Sequence, residues 1–533
     1  MLLRRLVCCV LAAHVLPRNG RMMRHANDQL DAVVPPFQMM ITRADASEVL
    51  ATRFASEEAP LYPEYDENYD VELDLDLPSK RKLHRQRGSR HLDSDPIEIG
   101  ITPTLDGETP PRRPGMTQDW SQKVKPATFN YGRGVGYVTT QAVESGDVLF
   151  SIPFTEIMTT ETAHQGRIKV LLDANPTLPS SIALALHLLE EKFRGEASRF
   201  EHYIESLPSI AGLNGTIFYS DKDFEGFEAS HLYRVTQGRR QAIKNFYEAL
   251  LGPVTSTAVD PPLFTSDQFT LDNFRWAMGI VWSRAFPLSK SDEDAVIAPV
   301  LDTIGACVEA DCPETRLEWD TRSQRLVVFA TEDYAADDEV RLDFSYKSSA
   351  LMMLNHGFSR PAPWSQVETF DMSIFLDPND TLISIKSHLL QTQNLTMNGT
   401  YILRYNSNSL DAEMMKSLKT KLLSAAELDK HRELFEPTSD RPILSLRNEF
   451  VFTRAVLLSC RNLLKQYPTR LEDDRQQLTA LENQFGGRVP TDRRIHMLRS
   501  LVIEKEILQH TEQLVLKQWQ DLLTLDNPNV LGV

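Results

Sequence analysis

The sequence is poor in cysteine, which excludes a fold held together by a disulfide framework. Five cysteines occur in 533 residues, and Cys8 and Cys9 lie at the extreme N-terminus. Small disulfide-dependent domains use several cysteine pairs. Cys307 and Cys312 are spaced C-x4-C, with no second Cys/His pair nearby. Because a structural zinc site needs about four ligands, we expect no metal site from these residues.

The sequence also lacks an apolar run long enough to cross a bilayer. Leu6–Leu16 follows two arginines and is too short to span a membrane. Its charge-then-apolar layout is typical of a signal peptide, but His14 interrupts it and no clean cleavage site follows. Residues 1–20 are either a targeting segment or an ordinary terminus. Localisation therefore stays open between cytoplasm, nucleus and an organelle.

The chain also lacks an excess of positively charged side chains. The formal net charge is −17, whereas binding to nucleic acid or to an anionic membrane surface favours an excess of Lys and Arg. We therefore expect no nucleic-acid partner. The balance of 41% hydrophobic and 25% charged residues is that of a soluble globular protein.

Residues 21–120 show no sustained apolar periodicity. An acidic stretch at 57–76 precedes a basic run at 80–90 and a group of prolines. Such a segment cannot bury enough apolar surface to offset its ordering entropy. The prediction for this region is disorder.

Ordered structure is expected from about residue 121. A glycine turn precedes the first strand, and a turn at Ser145-Gly146 leads into another strand ending at Pro153. Helical spacing begins at Ser180 or Ser181, either of which is a candidate N-cap. The further predictions are a helix over 271–282, strands over 325–330 and 339–344, and a helix over 349–354.

The pattern changes near residues 360–370, where we predict a domain boundary. Residues 370–385 indicate extended structure, but the remainder is dominated by helical periodicity. The predicted helices are 412–423, 444–466, 470–484 and 491–525. The chain is thus expected to be a monomeric α+β protein with domains at 121–362 and 363–533.

Several short motifs occur in a characteristic order. They are GRGVGYV (132–138), VESGDVLFSIP (143–153), HYIESLP (202–208), WSRAF (282–286), PVLD (299–302), DEVRLDFSYKSS (338–349), NHGF (355–358), YPTRLEDD (467–474) and LRSLVIEKEIL (498–508). This series resembles SET-domain proteins of the subfamily named for Rubisco large-subunit methyltransferase. That subfamily includes protein-lysine and actin-histidine methyltransferases.

The resemblance implies a fold and a reaction. The fold is a knot-like β assembly with a helical insert at about 165–270, followed by a mostly α-helical substrate-binding domain. The reaction is methyl transfer from S-adenosylmethionine to a protein side chain, with lysine ahead of histidine as the acceptor. The protein substrate or partner is held through the C-terminal helical domain.

The same resemblance assigns site residues. Cofactor binding falls on Tyr131, Gly132, Arg133, Asp302, Gly305 and Ala306. Substrate binding falls on Arg284, Trp319, His356 and Phe358. The catalytic hydroxyl falls on Tyr346, provided that the alignment contains a two-residue deletion.

The sequence departs from the family pattern at three places, one of which is His356, where the family has a tyrosine before Gly-Phe. Gly305 and Ala306 stand where the family has an Asn-His pair, and a gapless alignment puts Phe344 at the tyrosine. A buried polar group without its partner costs about 1–3 kcal/mol, so cofactor affinity falls by roughly tenfold to several-hundredfold. Two hypotheses remain: an active protein N-methyltransferase, or an inactive pseudoenzyme that binds a protein.

Overall fold

The computed structural model describes residues 123–129, 134–256, 261–287, 295–308, 312–377, 379–395, 399–429, 444–485 and 492–525. The predicted targeting segment, the predicted disordered region and the glycine turn at Tyr131, Gly132 and Arg133 lie outside these residues. Within the described part, no helix is both long enough and apolar enough to cross a membrane.

Eleven strands form four small sheets in the described part of the chain. The strands are β1 (Val124–Phe129), β2 (Gly134–Thr139), β3 (Val148–Pro153), β4 (Ala285–Pro287), β5 (Ala295–Ile297), β6 (Gly305–Cys307), β7 (Arg316–Asp320), β8 (Arg325–Phe329), β9 (Glu339–Asp343), β10 (Thr369–Ser373) and β11 (Thr400–Arg404). The sheet orders are β1-β2-β9-β6, β3-β8-β7, β4-β5 and β10-β11. Short strands in several sheets agree with the predicted SET-type assembly.

Alternation of apolar side chains explains the predicted strands. In β8, Leu326 and Val328 face the core while their neighbours are less buried, which is the period-2 pattern of a strand with one buried face. Gly146 has φ +92°, in the region that glycine adopts most readily, so the turn before β3 forms there. The strand predictions over 325–330 and 339–344 are confirmed to within a residue.

Helices fill the interval between β3 and β4, and one short helix follows β9. They are α1 (Thr160–Ala163), α2 (Lys169–Ala174), α3 (Ser180–Arg194), α4 (Glu201–Glu205), α5 (His231–Thr255), α6 (Leu271–Arg284) and α7 (Ser349–His356). The expected serine cap of α3 is wrong. Pro179 is the N-cap, with no side-chain hydrogen bond, and Ser180 already lies in the first turn. A proline with fixed φ can begin a helix without a polar cap.

The C-terminal part is mainly helical, as predicted. Its helices are α8 (Ile383–Thr392), α9 (Ala412–Lys421), α10 (Leu446–Gln466), α11 (Leu471–Phe485) and α12 (Arg493–Leu525). The extended prediction for 370–385 holds only at its start, in β10. Its end enters α8 because the Asp380 carboxylate accepts from the Leu382 backbone N–H at 2.8 Å and contacts Lys386, which organises the first turn.

One hydrophobic core joins the helical insert to the C-terminal helices. Phe224 and Leu232 from the insert pack in the same cluster as Phe452 and Ile507. A second core lies under α3 and α6, and a third lies among the strands. The helical domain is therefore packed directly against the part of the chain that carries the candidate site.

Candidate active site

A buried ion pair anchors one side of the site. Arg284, the last residue of α6, contacts the Asp302 carboxylate at 2.6 Å, and the Tyr203 hydroxyl donates to the same oxygen, Oδ2, at 2.9 Å. The Asp302 side chain is shielded from solvent. Its other oxygen, Oδ1, has no hydrogen-bond partner in the described part of the chain. Asp302 is thus held through Oδ2, and its Oδ1 is an acceptor that no described group satisfies.

Pairing of β6 with β9 brings together three of the residues that were predicted to depart from the motif pattern. These strands are parallel, with Gly305 opposite Arg341 and Ala306 opposite Leu342. The backbone N–H of Phe344 donates to the Cys307 carbonyl at 2.8 Å. Gly305, Ala306 and Phe344 therefore lie along one strand pair. None of the three side chains offers a hydrogen-bonding group.

Three rings form an aromatic wall beyond β9. The centroids of Phe344 and His356 are 5.3 Å apart, and those of His356 and Phe358 are 5.8 Å apart. The Lys347 ammonium lies 3.6 Å from the Phe344 ring centroid, a cation–π contact. The predicted residues His356 and Phe358 are thus adjacent, and Phe344 belongs to the same wall.

The electrostatics of this wall keep its histidine neutral. Burial lowers the pKa of His356 well below its ordinary value, and the cations Lys347, Arg284 and Arg239 lower it further. The Nε2 atom of His356 is buried without a hydrogen-bond partner among the described residues. At neutral pH this imidazole can exchange a hydrogen bond with a ligand but carries no charge.

Tyr346 and Trp319 have different surroundings. Tyr346 is 42% exposed, two residues beyond Phe344. Trp319 stacks on Phe154 with ring centroids 3.6 Å apart, and both rings pack against the core of the strands. The structure places Arg284 and Asp302 in the ion pair, Gly305 and Ala306 on the β6–β9 strand pair, and His356 and Phe358 in the aromatic wall. It places the Tyr346 ring at the surface.

Two site residues were missed from the sequence. Arg239, fully buried in α5, donates to Asn355 Oδ1 at 2.6 Å and lies 4.4 Å from the Trp282 ring centroid. It occurs in the polar sequence Gln-Gly-Arg-Arg, which carries no signal of burial. Tyr203 lies in the HYIESLP motif, so its motif position could have identified it.

Cys307 and Cys312 are joined by a disulfide. This bond links Cys307, the last residue of β6, to Cys312, which precedes β7, and it lies next to the β6–β9 strand pair. A disulfide-bonded cysteine has no thiolate to offer as a metal ligand. The C-x4-C pair therefore acts as a covalent link in this structure.

Comparison with known proteins agrees with these features. The sequence family described as Rubisco LSMT substrate-binding matches residues 377–508. A chloroplastic [fructose-bisphosphate aldolase]-lysine N-methyltransferase of Arabidopsis thaliana is 24% identical over 392 residues, covering 72% of this chain and 77% of the relative. An actin-histidine N-methyltransferase of Danio rerio is 22% identical over 393 residues, covering 71% and 63% respectively.

Solved structures show the same fold. The SET domain of LSMT bound to lysine and AdoHcy superposes with a TM-score of 0.63 at 21% identity, covering 75% of this chain and 88% of that one. Rubisco LSMT bound to AdoMet gives a TM-score of 0.60. Together these likenesses show that the chain has the fold of a SET domain followed by a helical domain, and that residues 377–508 are of the Rubisco LSMT substrate-binding type.

Proposed function

We propose that this chain is a protein-binding member of its family in which methyl transfer has been lost or strongly weakened. The observation that carries the proposal is the Phe344 ring at the end of β9, with the Lys347 ammonium 3.6 Å from its centroid. In the gapless alignment this ring stands where the family has its tyrosine. A phenyl ring supplies no hydroxyl beside a transferred methyl group.

The part of the expected cofactor site on β6 offers S-adenosylmethionine no side-chain hydrogen bond. Gly305 and Ala306 present no side-chain donor or acceptor on β6, although both are only partly buried. Two lost contacts at about 1–3 kcal/mol each are enough to move a micromolar affinity towards millimolar.

The local charge also opposes an ammonium acceptor. Lys347 lies over Phe344, and it acts with Arg284 and Arg239 to lower the pKa of His356. Like charges in a shielded site disfavour one another. A lysine of a partner would therefore be disfavoured beside Lys347 in its protonated form, and only the neutral amine would be accepted there.

The helical domain supplies the means of binding a protein. Residues 377–508 match the substrate-binding family. A cavity of about 540 Å³ lies between β11, the start of α9 and α12, with Arg404, Asp411 and Thr511 among its lining residues. We propose that a segment of a partner protein docks there. The monomeric state and the compartment, whether cytoplasm, nucleus or organelle, remain predictions.

The test is a calorimetric titration of S-adenosylmethionine into the full chain and into the triple variant Gly305→Asn, Ala306→His, Phe344→Tyr. We expect no binding below the millimolar range for the wild type and at least a tenfold gain in the triple variant, since restored hydrogen bonds are worth about 1.4 kcal/mol per tenfold. Phe358→Tyr, which adds a hydroxyl on the neighbouring wall, is the matched control and should leave the affinity unchanged. Micromolar binding by the wild type would contradict the proposal.

An active S-adenosylmethionine-dependent protein N-methyltransferase is the second candidate, with lysine ahead of histidine as the acceptor. Unused buried polar atoms favour it, because Asp302 Oδ1, His356 Nε2 and Trp282 Nε1 all have no partner in the described structure and would suit a polar ligand. Tyr346 would then supply the hydroxyl. If the wild type transfers labelled methyl groups to protein and Tyr346→Phe abolishes the transfer, this candidate replaces the first.

A further inference from the structure

Helix α3 carries three buried ionisable side chains on one face. His187, Glu190 and Glu191 follow one another at i, i+3 and i+4, a spacing that puts side chains on the same side of a helix. Their residues are 1%, 6% and 3% exposed. An imidazole and two carboxylates are costly to bury unless they are paired or bind a cation. The cluster lies in the helical insert, among residues to which the proposed function assigns no role.

Hydrogen bonds satisfy only part of this cluster. His187 Nε2 lies 3.0 Å from Thr162 Oγ1. His187 Nδ1 and Glu190 Oε2 are both buried, and neither has a hydrogen-bond partner in the described residues. One potential ligand atom from each of His187, Glu190 and Glu191 lies within 4.8 Å of the other two. The three side chains therefore bring potential ligand atoms close together, and His187 and Glu190 each carry one buried atom that no described group satisfies.

Surrounding groups hold the two carboxylates in place. Glu190 Oε1 accepts from the Arg167 backbone N–H at 2.5 Å. The Glu191 oxygens accept from the Arg194 guanidinium at 2.7 Å and from Ser198 Oγ at 2.6 Å. Hydrogen bonds of this kind orient metal ligands from the second layer of a site.

The space for Glu190 depends on a glycine. A β-carbon at Gly166 would lie 2.9 Å from Glu190 Cδ, closer than real contacts allow. Only a residue without a side chain leaves room for the carboxylate in its present position. The loop before α2 is thus shaped around this acidic group.

We propose that His187, Glu190 and Glu191 form a zinc site. Zinc takes mixed imidazole and carboxylate ligands at about 2.0–2.2 Å, usually four in number, so a water would complete the set. Calcium and magnesium prefer six or more oxygen ligands. Ligand atoms within 4.8 Å of one another need only small side-chain rotations to surround one ion.

The protonation states suit a metal ligand set. Burial lowers the pKa of His187 to about 4, so the imidazole is neutral at pH 7, as a zinc ligand must be. Burial raises the pKa of Glu190, which makes a proton on Glu190 the competing explanation. The positive charges of Arg199 and Arg194 lower the pKa of His187 further.

A metal here would stiffen one edge of the candidate active site. Ser198, which donates to Glu191, also accepts from the Phe200 N–H just before α4. Helix α4 carries Tyr203, whose hydroxyl binds Asp302. Because all three ligands lie on α3, zinc would act on the loop before α2 and on α4 by fixing the two carboxylates that bind the Arg167 N–H and Ser198 Oγ.

The test uses the full chain, stripped with a chelator and titrated with Zn²⁺ and with Co²⁺ as a spectroscopic probe. We expect one equivalent to bind with a rise in melting temperature, and Co²⁺ to give the absorption of a low-coordinate nitrogen–oxygen site. The double variant His187→Gln, Glu190→Gln should lose that equivalent. Glu190→Gln alone, which keeps an oxygen for the Arg167 amide, should bind at least about tenfold more weakly.

His202 and Glu205 provide the matched control. They have the same His-x-x-Glu spacing, on α4, but their side chains are 54% and 69% exposed. His202→Gln, Glu205→Gln should keep full binding. The proposal fails if the stripped wild type binds no metal, or if the His187/Glu190 variant binds as many equivalents as the wild type. Either result would mean that the cluster holds no metal.

Discussion

Two buried polar clusters in this chain differ in how many of their donor and acceptor groups have a hydrogen-bond partner. At the junction of the insert with the helical domain, Glu504 accepts from the N–H groups of His231 and Leu232 at 2.8 and 3.0 Å and from the Tyr467 hydroxyl at 3.0 Å. At the candidate site, Asp302 uses only Oδ2, and its Oδ1 has no partner among the described residues. A cluster whose polar groups all have partners stabilises the junction between two parts of the chain. A cluster with an unpaired acceptor can receive a ligand.

The junction continues into a second saturated cluster. Lys505, next to Glu504 on α12, contacts Asp474 and donates to the carbonyl and hydroxyl oxygens of Thr469 at 2.8 and 2.9 Å. Both side chains of the ion pair are 2% exposed. All three ammonium protons therefore have acceptors. This cluster should be important for stability and unrelated to ligand binding.

The largest effect is expected at this ion pair. Lys505→Met leaves Asp474 as a buried unpaired charge and should lower the free energy of unfolding by about 3–5 kcal/mol, measured by urea denaturation. Arg475→Ala is the control, because its guanidinium is half exposed where it pairs with Glu506. That change should cost under about 1 kcal/mol. If both variants lost the same free energy of unfolding, the buried pair at the junction would contribute no more stability than the exposed pair.

A second, smaller effect should appear on acidification. Burial, together with Arg234, lowers the pKa of His231 to about 3, below the value of about 6.5 in an unfolded chain. The unfolded state therefore binds more protons at pH 5, and stability is lost as the pH falls below about 6.5. From pH 7.5 to 5 this histidine should contribute about 2 kcal/mol of the loss.

The measurement compares wild type with His231→Gln at both pH values. The variant should lose about 2 kcal/mol less on acidification, because its side chain does not titrate. Identical losses in the two proteins would mean that the protonated imidazole gains a compensating pair with Asp371, whose carboxylate lies 3.9 Å away.

The smallest effect is expected in the candidate site. Tyr203→Phe removes one of two donors to Asp302 Oδ2 and should cost about 0.5–1.5 kcal/mol, because Arg284 still pairs with that oxygen. Tyr467→Phe is the matched change at the junction and should cost more, about 1–3 kcal/mol, since Glu504 is fully enclosed. The reverse order, seen by thermal or urea unfolding, would contradict this comparison.

The altered residues of the site could be found from the sequence, but their arrangement could not. Gly305, Ala306 and Phe344 were singled out by their motif positions, because motif order survives low overall identity. The choice between Phe344 and Tyr346 is not a local property of the segment. The structure joins the Phe344 N–H to the Cys307 carbonyl and leaves Tyr346 exposed, while the alignment itself stays a prediction.

Periodicity and motif order by themselves determined the fold class, the helices of the C-terminal part and the strands β3, β8 and β9. These features are local, since a helix or a half-buried strand repeats its apolar side chains within a few residues. Tertiary structure alone decided the parallel pairing of β6 with β9, the burial of Arg239 against Asn355, and the approach of the Glu190 carboxyl group to Gly166. Arg239 and Asn355 are 116 positions apart, and a polar residue on a helix has the same local pattern whether water or another helix faces it.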